Sequence, residues 1–243
     1  MKNLYIISVI ILYFFIGCKK QKDNFQSTSN IFVINAMVGY GPVKVNANSD
    51  NTFSYNRASD IPYGGSGIYG GIIGDNNVKI VSSIDTNNIL FSKKVLLKKI
   101  NTFYLIGLSP AIDTLLKTED NIPYIQSFNS NPDKSLYIRF VNLSPNSGSI
   151  NINIRTSSNN EISNLKYKEI SEFKKYPALS NTPNYVFEVR DAITNNLLTS
   201  YTLNVNTNRY KTISLVIRGL IRPIDSPPVT GPTALAVFQV NYI

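Results

Sequence analysis

Leu136-Tyr137-Ile138-Arg139-Phe140-Val141-Asn142-Leu143-Ser144-Pro145, followed closely by Ile150-Asn151-Ile152-Asn153-Ile154, decides the architecture. The second segment alternates isoleucine with asparagine, a period of two. A strand sends successive side chains to opposite faces, so this pattern buries one face and wets the other. Tyr185, Phe187 and Val189 alternate in the same way with Val186, Glu188 and Arg190. Residues 78–84 and 89–97 flank the turn-forming 85–88 and predict a hairpin; 185–190 followed by 197–205 predicts another. Segments 102–108, 209–217 and 233–242 read as further strands. Residues 168–175 offer the one stretch that reads as a short helix.

Working outward, the chain repeats itself. Ile31-Phe32-Val33-Ile34-Asn35-Ala36 is echoed by Tyr137-Ile138-Arg139-Phe140-Val141-Asn142-Leu143. Gly41-Pro42-Val43-Lys44-Val45-Asn46 is echoed by Gly148-Ser149-Ile150-Asn151-Ile152-Asn153. Thr86-Asn87-Asn88-Ile89-Leu90 returns as Thr194-Asn195-Asn196-Leu197-Leu198, and the offset is 107 or 108 residues throughout. Homologous modules over 30–122 and 135–243 follow, with a linker at 123–134 that carries Pro123 and Pro132. About seven short strands per 100 residues, with turns between, describe a β-sandwich. The expected fold is therefore all-β: two tandem immunoglobulin-like or fibronectin-like β-sandwich modules. Each is large enough to bury its own core.

The run from Leu136 to Pro145, with the Ile150/Ile152/Ile154 strand after it, resembles the opening of the bacterial family called domain of unknown function 4397. So do Lys166-Tyr167, Phe173, Tyr176-Pro177 and the closing strands. The first unit is similar but more diverged, since Asn35-Ala36 lacks the following Ser-Pro. The resemblance implies a secreted or lipid-anchored β-sandwich protein, often with tandem copies, common in Bacteroidetes-type bacteria. It implies no catalytic residues.

The start of the chain gives an address. Met1-Lys2 precedes an apolar run over 4–16, then Gly17-Cys18 and Lys19-Lys20-Gln21-Lys22-Asp23. Spanning a bilayer as a helix takes about 20 residues, so the run suits the middle of a secretory signal instead. Phe15-Ile16-Gly17-Cys18 resembles a bacterial lipobox, in which cleavage precedes the cysteine and its sulfur takes a diacylglycerol. Residues 1–17 are thus expected to be a signal peptide, Cys18 the lipidation site, and 18–29 a polar, flexible tether. Each buried methylene adds about 0.8 kcal/mol of membrane affinity, so a multiply acylated cysteine would hold firmly. The expected location is an outer-membrane lipoprotein facing the periplasm or the cell surface, and nucleic acid is not an expected partner there.

The 243 residues carry a net charge of +9, and asparagine supplies 31 of them. Asparagine favours turns over helix interiors. Basic pairs at 93–94, 98–99, 166–168 and 174–175 are spread out, as solvated strand faces would be, rather than clustered into one patch.

The chain contains no histidine and one cysteine. Ser-His-Asp and Cys-His pairs are therefore excluded, as are His-containing zinc sites, thiolate clusters and internal disulfides. No metal and no cofactor is expected. Ser171-Glu172-Phe173-Lys174 matches a Ser-x-x-Lys pattern and Ser49-Asp50-Asn51 a companion element, but in reversed order and without the third. Gly65-Ser66-Gly67-Ile68-Tyr69-Gly70 matches a dinucleotide fingerprint, with Asp85 downstream, yet the surroundings read as strand and turn rather than strand and helix. The glycines of 64–74 read instead as a mobile loop at a sandwich end, where binding sites tend to be built. Tyr63, Tyr69, Gly65 and Gly67 are its candidate contact residues. Glu119, Asp120 and Asp133 are the acidic residues near the module boundary.

The expected role is a non-catalytic binding or structural component of the envelope, lipid-anchored through Cys18. Its candidate partners beyond the bilayer are a glycan, a peptide or an envelope protein. The alternative is an envelope carbohydrate-active hydrolase or lyase using carboxylate, tyrosine or lysine groups.

Overall fold

A computed structural model describes residues 27–47, 53–127, 132–221 and 233–242. Cys18, the leader and Ser49-Asp50-Asn51 lie outside the described residues. The chain is all-β. The first sandwich holds β1 (Thr28–Asn35), β2 (Val43–Asn46), β3 (Ser66–Ile72), β4 (Gly74–Ser82), β5 (Ile89–Leu97), β6 (Ile100–Leu108) and β7 (Ala111–Glu119). The second holds β8 (Ser135–Asn142), β9 (Ile150–Ile154), β10 (Asn160–Leu165), β11 (Lys174–Pro177), β12 (Tyr185–Asp191), β13 (Leu197–Leu203), β14 (Thr212–Arg218) and β15 (Ala236–Asn241). One short helix, α1 (Val205–Asn208), is capped by the Asn204 side chain, which accepts from the Thr207 amide at 3.1 Å.

One connectivity is used twice. The sheet β3-β1-β6-β7 corresponds strand for strand to β11-β8-β14-β15, and β2-β4-β5 corresponds to β9-β12-β13, to which β10 is added. In each sandwich one pair runs parallel, β1 with β6 and β8 with β14, while the rest are antiparallel. The alternating positions fill the cores as the period of two requires. Ile31, Val33, Val43, Val45, Ile80 and Phe103 pack inside the first sandwich. Ile138, Phe140, Ile150, Ile152, Phe187 and Val189 pack inside the second.

A third apolar layer joins the two. Ile34, Ala36, Tyr104 and Ile106 from the first sandwich pack on Val141, Leu143, Val216 and Val240 from the second. Strands β1, β6 and β14 are therefore buried on both faces, which is why their sequences are apolar runs rather than alternations. Separating the sandwiches would expose these side chains at about 1.5–3 kcal/mol for each large aliphatic. The result is four sheets stacked face to face, not two beads on a string. Ile100, at the start of β6, clusters with Phe32 and Tyr242, while Ile34 and Ala36 cluster with Val141 and Leu143 at the far ends of β1 and β8. The two sandwiches thus point the same way, with both asparagine-rich hairpins at the end opposite Ser27.

A buried ion pair pins this layer. Arg139 on β8 is 1% exposed and donates two bonds from Nη1 to the Glu119 carboxylate at the end of β7, at 2.9 and 3.0 Å. Its Nε donates to Ser214 Oγ at 2.9 Å and its Nη2 to the Tyr242 hydroxyl at 2.6 Å. Its face lies over the Phe173 ring at 4.5 Å. Burial pulls against the charge, but the phenol oxygens of Tyr104 and Tyr242 and the Glu119 carboxylate outweigh it, so the guanidinium pKa is raised. Lys168 also pairs with Asp113 across the layer, and Thr212 Oγ1 donates to the Pro123 carbonyl at 2.6 Å.

The expected helix over 168–175 is not formed. Lys168 takes a positive φ of 69°, Ile170 forms a bridge with Val141, and the chain is extended by β11. Ile170 and Phe173 face the layer between the sandwiches, whereas Tyr176 enters the second core. An extended chain can serve both layers; the single apolar stripe of a helix serves one.

Gly107 and Gly219 end β6 and β14 with φ of 110° and 90°, where an added Cβ would overlap the carbonyl oxygens of Ala111 and Ala234 respectively. Gly107→Ala and Gly219→Ala are each expected to cost about 1–3 kcal/mol. The check is a fall in the urea midpoint at unchanged m-value. Gly70→Ala, with no atom within 4 Å of the added methyl, should leave the midpoint in place.

Candidate functional site

Residues 64–74 are not a loop. They form β3 and the turn into β4. The glycines are there for close packing. A Cβ at Gly67 would press on Ile61 and Tyr69 at 3.0 Å, and one at Gly71 would meet Ile31 at 2.9 Å and Leu97 at 3.2 Å. Glycine thus lets the strand lie tight on the core. Tyr69 packs half-buried against that core, and burial pushes its phenol pKa up. Tyr63 is stacked by the Arg218 guanidinium at 4.2 Å, a contact that docks the second sandwich on the first. The Gly65 carbonyl accepts from the Asn35 amide at 3.0 Å. The structure therefore assigns Tyr63, Tyr69, Gly65 and Gly67 to packing and does not bring them together around a cleft. The fingerprint glycines run into strand β4, so no helix N-terminus faces them.

The other sequence motifs are held by structural bonds. Ser171 Oγ accepts from the Phe140 amide at 2.9 Å and donates to the Glu172 carbonyl at 3.0 Å, while Lys174 pairs with Glu161. Asp120 pairs with Lys98 at 3.0 Å, Asp133 with Lys175 at 2.8 Å, and Lys94 with Asp75 at 2.8 Å. Among the described residues no group of three or more acidic, His or Cys side chains could hold a metal ion. No described helix is long and apolar enough to cross a membrane. An open recess of about 380 Å³ lies beside Asp133, Lys134 and Lys175; Lys175 bonds Asp133 there and Lys134 bonds the Tyr210 hydroxyl at 2.6 Å.

What β3 offers is its outer side. It is the edge strand of β3-β1-β6-β7. Its register with β1 pairs Ile72 with Thr28 and Ser66 with Ile34. Bonds from the Asn35 amide to the Gly65 carbonyl and from the Ile73 amide to the Ser27 carbonyl mark the odd-numbered residues as those facing β1. In an antiparallel ladder these groups alternate, so Ser66, Ile68, Gly70 and Ile72 point their backbone N–H and C=O outward. The Ile72 carbonyl accepts from Asn76 Nδ2 at 2.6 Å. The same residues carry exposed side chains: Ile68 is 61% and Ile72 43% exposed. Residues 65–73 contain no charge and no proline.

The second sandwich supplies an internal comparison. Its corresponding edge, β11, is only four residues long and carries Lys174, Lys175 and Pro177. Short length, lysine and proline are the devices that keep an edge from pairing with another chain. The opposite edge of the first sheet, β7, carries Asp113, Lys117 and Glu119. β3 has none of these defences. Period two would have separated Gly67, Tyr69 and Gly71 from Ile68, Gly70 and Ile72.

No family model matches the chain, and no curated protein matches it. Among solved structures, a candidate adhesin from Bacteroides ovatus aligns at 12% identity over 87% of this chain and 95% of its own, with a TM-score of 0.26. That score is too low for the likeness to bear on what the chain does.

Proposed function

We propose that the chain is a non-catalytic binding component of the bacterial envelope, anchored through acylated Cys18, that holds a protein partner by adding a strand to β3. The observation that carries this is the undefended β3 edge, set against the lysine- and proline-guarded β11 at the same place in the second sandwich. In strand addition, main-chain hydrogen bonds supply affinity and alternate side chains supply selectivity. The exposed Ile68 and Ile72 suit a protein strand better than a glycan. The anchoring rests on the lipobox-like Phe15-Ile16-Gly17-Cys18, and the resemblance to domain of unknown function 4397 agrees with an envelope location.

Two measurements test it. Labelled fatty acid should enter the wild-type chain and be lost with Cys18→Ala, which should also leave the membrane fraction. A photoreactive phenylalanine at position 68 should give a discrete protein adduct in whole cells, absent when the same group stands at Leu197, an exposed residue of the second sandwich. Equal adducts from both positions would remove the edge as a binding element.

A further inference from the structure

The sequence of β3 specifies more than an open edge. Its outward-facing residues read Ser66, Ile68, Gly70, Ile72, and about Gly70 they are symmetric: an isoleucine stands two residues to either side. We infer that the partner added to β3 is β3 of a second copy of this chain, antiparallel, with its two-fold axis at Gly70. This rests on the strand-addition reading above and narrows it to one occupant.

A two-fold interface must be self-complementary, residue i meeting j as j meets i. With Gly70 opposite Gly70, Ile68 stands opposite Ile72 of the second copy and Ile72 opposite its Ile68. All are residues whose backbone groups face outward, so the three facing pairs would close about six backbone hydrogen bonds. The Ile72 carbonyl keeps a second lone pair beside the Asn76 bond. Apolar β-branched pairs directly opposite each other are favourable cross-strand neighbours. Gly70 leaves the centre clear, with no atom within 4 Å of where a side chain would begin. Shifting the register by two residues would instead set Ile68 against Gly70 and Ile72 against Ser66, losing both isoleucine pairs.

Charge selects the same place. A net charge of +9 makes two copies repel over most of their surface. Residues 65–73 carry none, so this edge is where two basic chains approach at least cost. The outcome is one sheet of eight strands, β7-β6-β1-β3 continued by β3-β1-β6-β7 of the second copy. Because repulsion opposes this pairing, salt should tighten it, opposite to an ion-paired interface.

The test is register-specific. The full-length chain is purified in detergent, with the wild type, whose lone cysteine is Cys18, as control. Sedimentation should give a protein dimer that becomes monomeric with Ile68→Lys, and dimerisation should strengthen from 50 to 500 mM salt. Paired residues in such a ladder have Cα atoms about 5.5 Å apart, inside the range of about 4.4–6.8 Å that a disulfide spans. Gly70→Cys should therefore cross-link with itself. Ile68→Cys should cross-link with Ile72→Cys when the two are mixed, but not alone, since its own copies would stand four residues, about 13 Å, apart. A monomeric wild type, or a dimer that Ile68→Lys leaves intact, overturns the inference. A monomer that still gives a discrete adduct from position 68 with a different protein overturns the self-pairing and leaves the strand-addition reading standing. Loss of that adduct as well removes both.

Discussion

Glu119→Ala should lower the stability of the whole chain by about 3–5 kcal/mol, because it strands the Arg139 guanidinium as an unpaired charge in a dry layer. Arg139 is 1% exposed and Glu119 is its only carboxylate partner among the described residues, held by two bonds of 2.9 and 3.0 Å. The remaining ligands of Arg139 are hydroxyls and rings: Ser214, Tyr242, Phe173 and, at 3.5 Å, Tyr104. None can neutralise it. Urea unfolding would report the loss as a lower midpoint. Replacing both partners, Arg139→Met with Glu119→Gln, should recover part of it, since an apolar or neutral pair avoids the desolvation that the lone charge suffers. A Glu119→Ala variant within about 0.5 kcal/mol of wild type would place it among ordinary surface changes and deny the ion pair its role in joining the sandwiches.

Asn142→Ala should be the second costly change, at about 2–4 kcal/mol, from several buried backbone groups losing partners at about 1–3 kcal/mol each. Asn142 is fully buried at the end of β8. Its Nδ2 donates to Ser147 Oγ at 2.9 Å, to the Leu165 carbonyl at 3.1 Å and to the Gly148 carbonyl at 3.3 Å, and its Oδ1 accepts from the Ser144 amide at 3.1 Å. Asn35 makes the same lock in the first sandwich, donating to the Gly41 and Ile61 carbonyls at 3.2 Å and accepting from the Met37 amide at 3.3 Å. It has fewer and longer bonds, so Asn35→Ala should cost less. Asn142→Asp should cost more than Asn142→Ala, because it aims a carboxylate oxygen at two carbonyls. Thermal melts resolve the order, at about 2–4 °C per kcal/mol for a chain of this size. If Asn142→Asp melts above Asn142→Ala, the amide is not the donor.

These two asparagines show how far the sequence was readable. Asn35 and Asn142 stood out as an echo 107 residues apart, and so did Gly41 and Gly148. The fold makes one reason of both, since each asparagine bonds the carbonyl of the glycine in its own unit. Periodicity found the hairpins β4–β5 and β12–β13 because each of these strands has one wet face. It failed where a strand is covered twice. The runs Ile31-Phe32-Val33-Ile34 and Phe103-Tyr104-Leu105-Ile106 carry the third apolar layer in plain view, but a run without alternation names no neighbour. The helix misread at 168–175 and the loop misread at 64–74 have one origin: local preference, for lysine and glutamate in one and for glycine in the other, lost to a core that needed an extended chain there. Arg139 gave no sign at all, since only the folded chain shows that it lies where two sheets meet.

The parallel pairing of β1 with β6 decides how the protein would bear load. β1 begins at Thr28 and lies between β3, which pairs with residues 28–34, and β6, which pairs with residues 30–35. A pull delivered there along the strand direction meets two ladders of hydrogen bonds lying across it. They must yield together, in shear, and cannot be unzipped one rung at a time. With the chain held through Cys18, as proposed above, drag on the body would load a strand clamped on both sides rather than a hairpin that unzips.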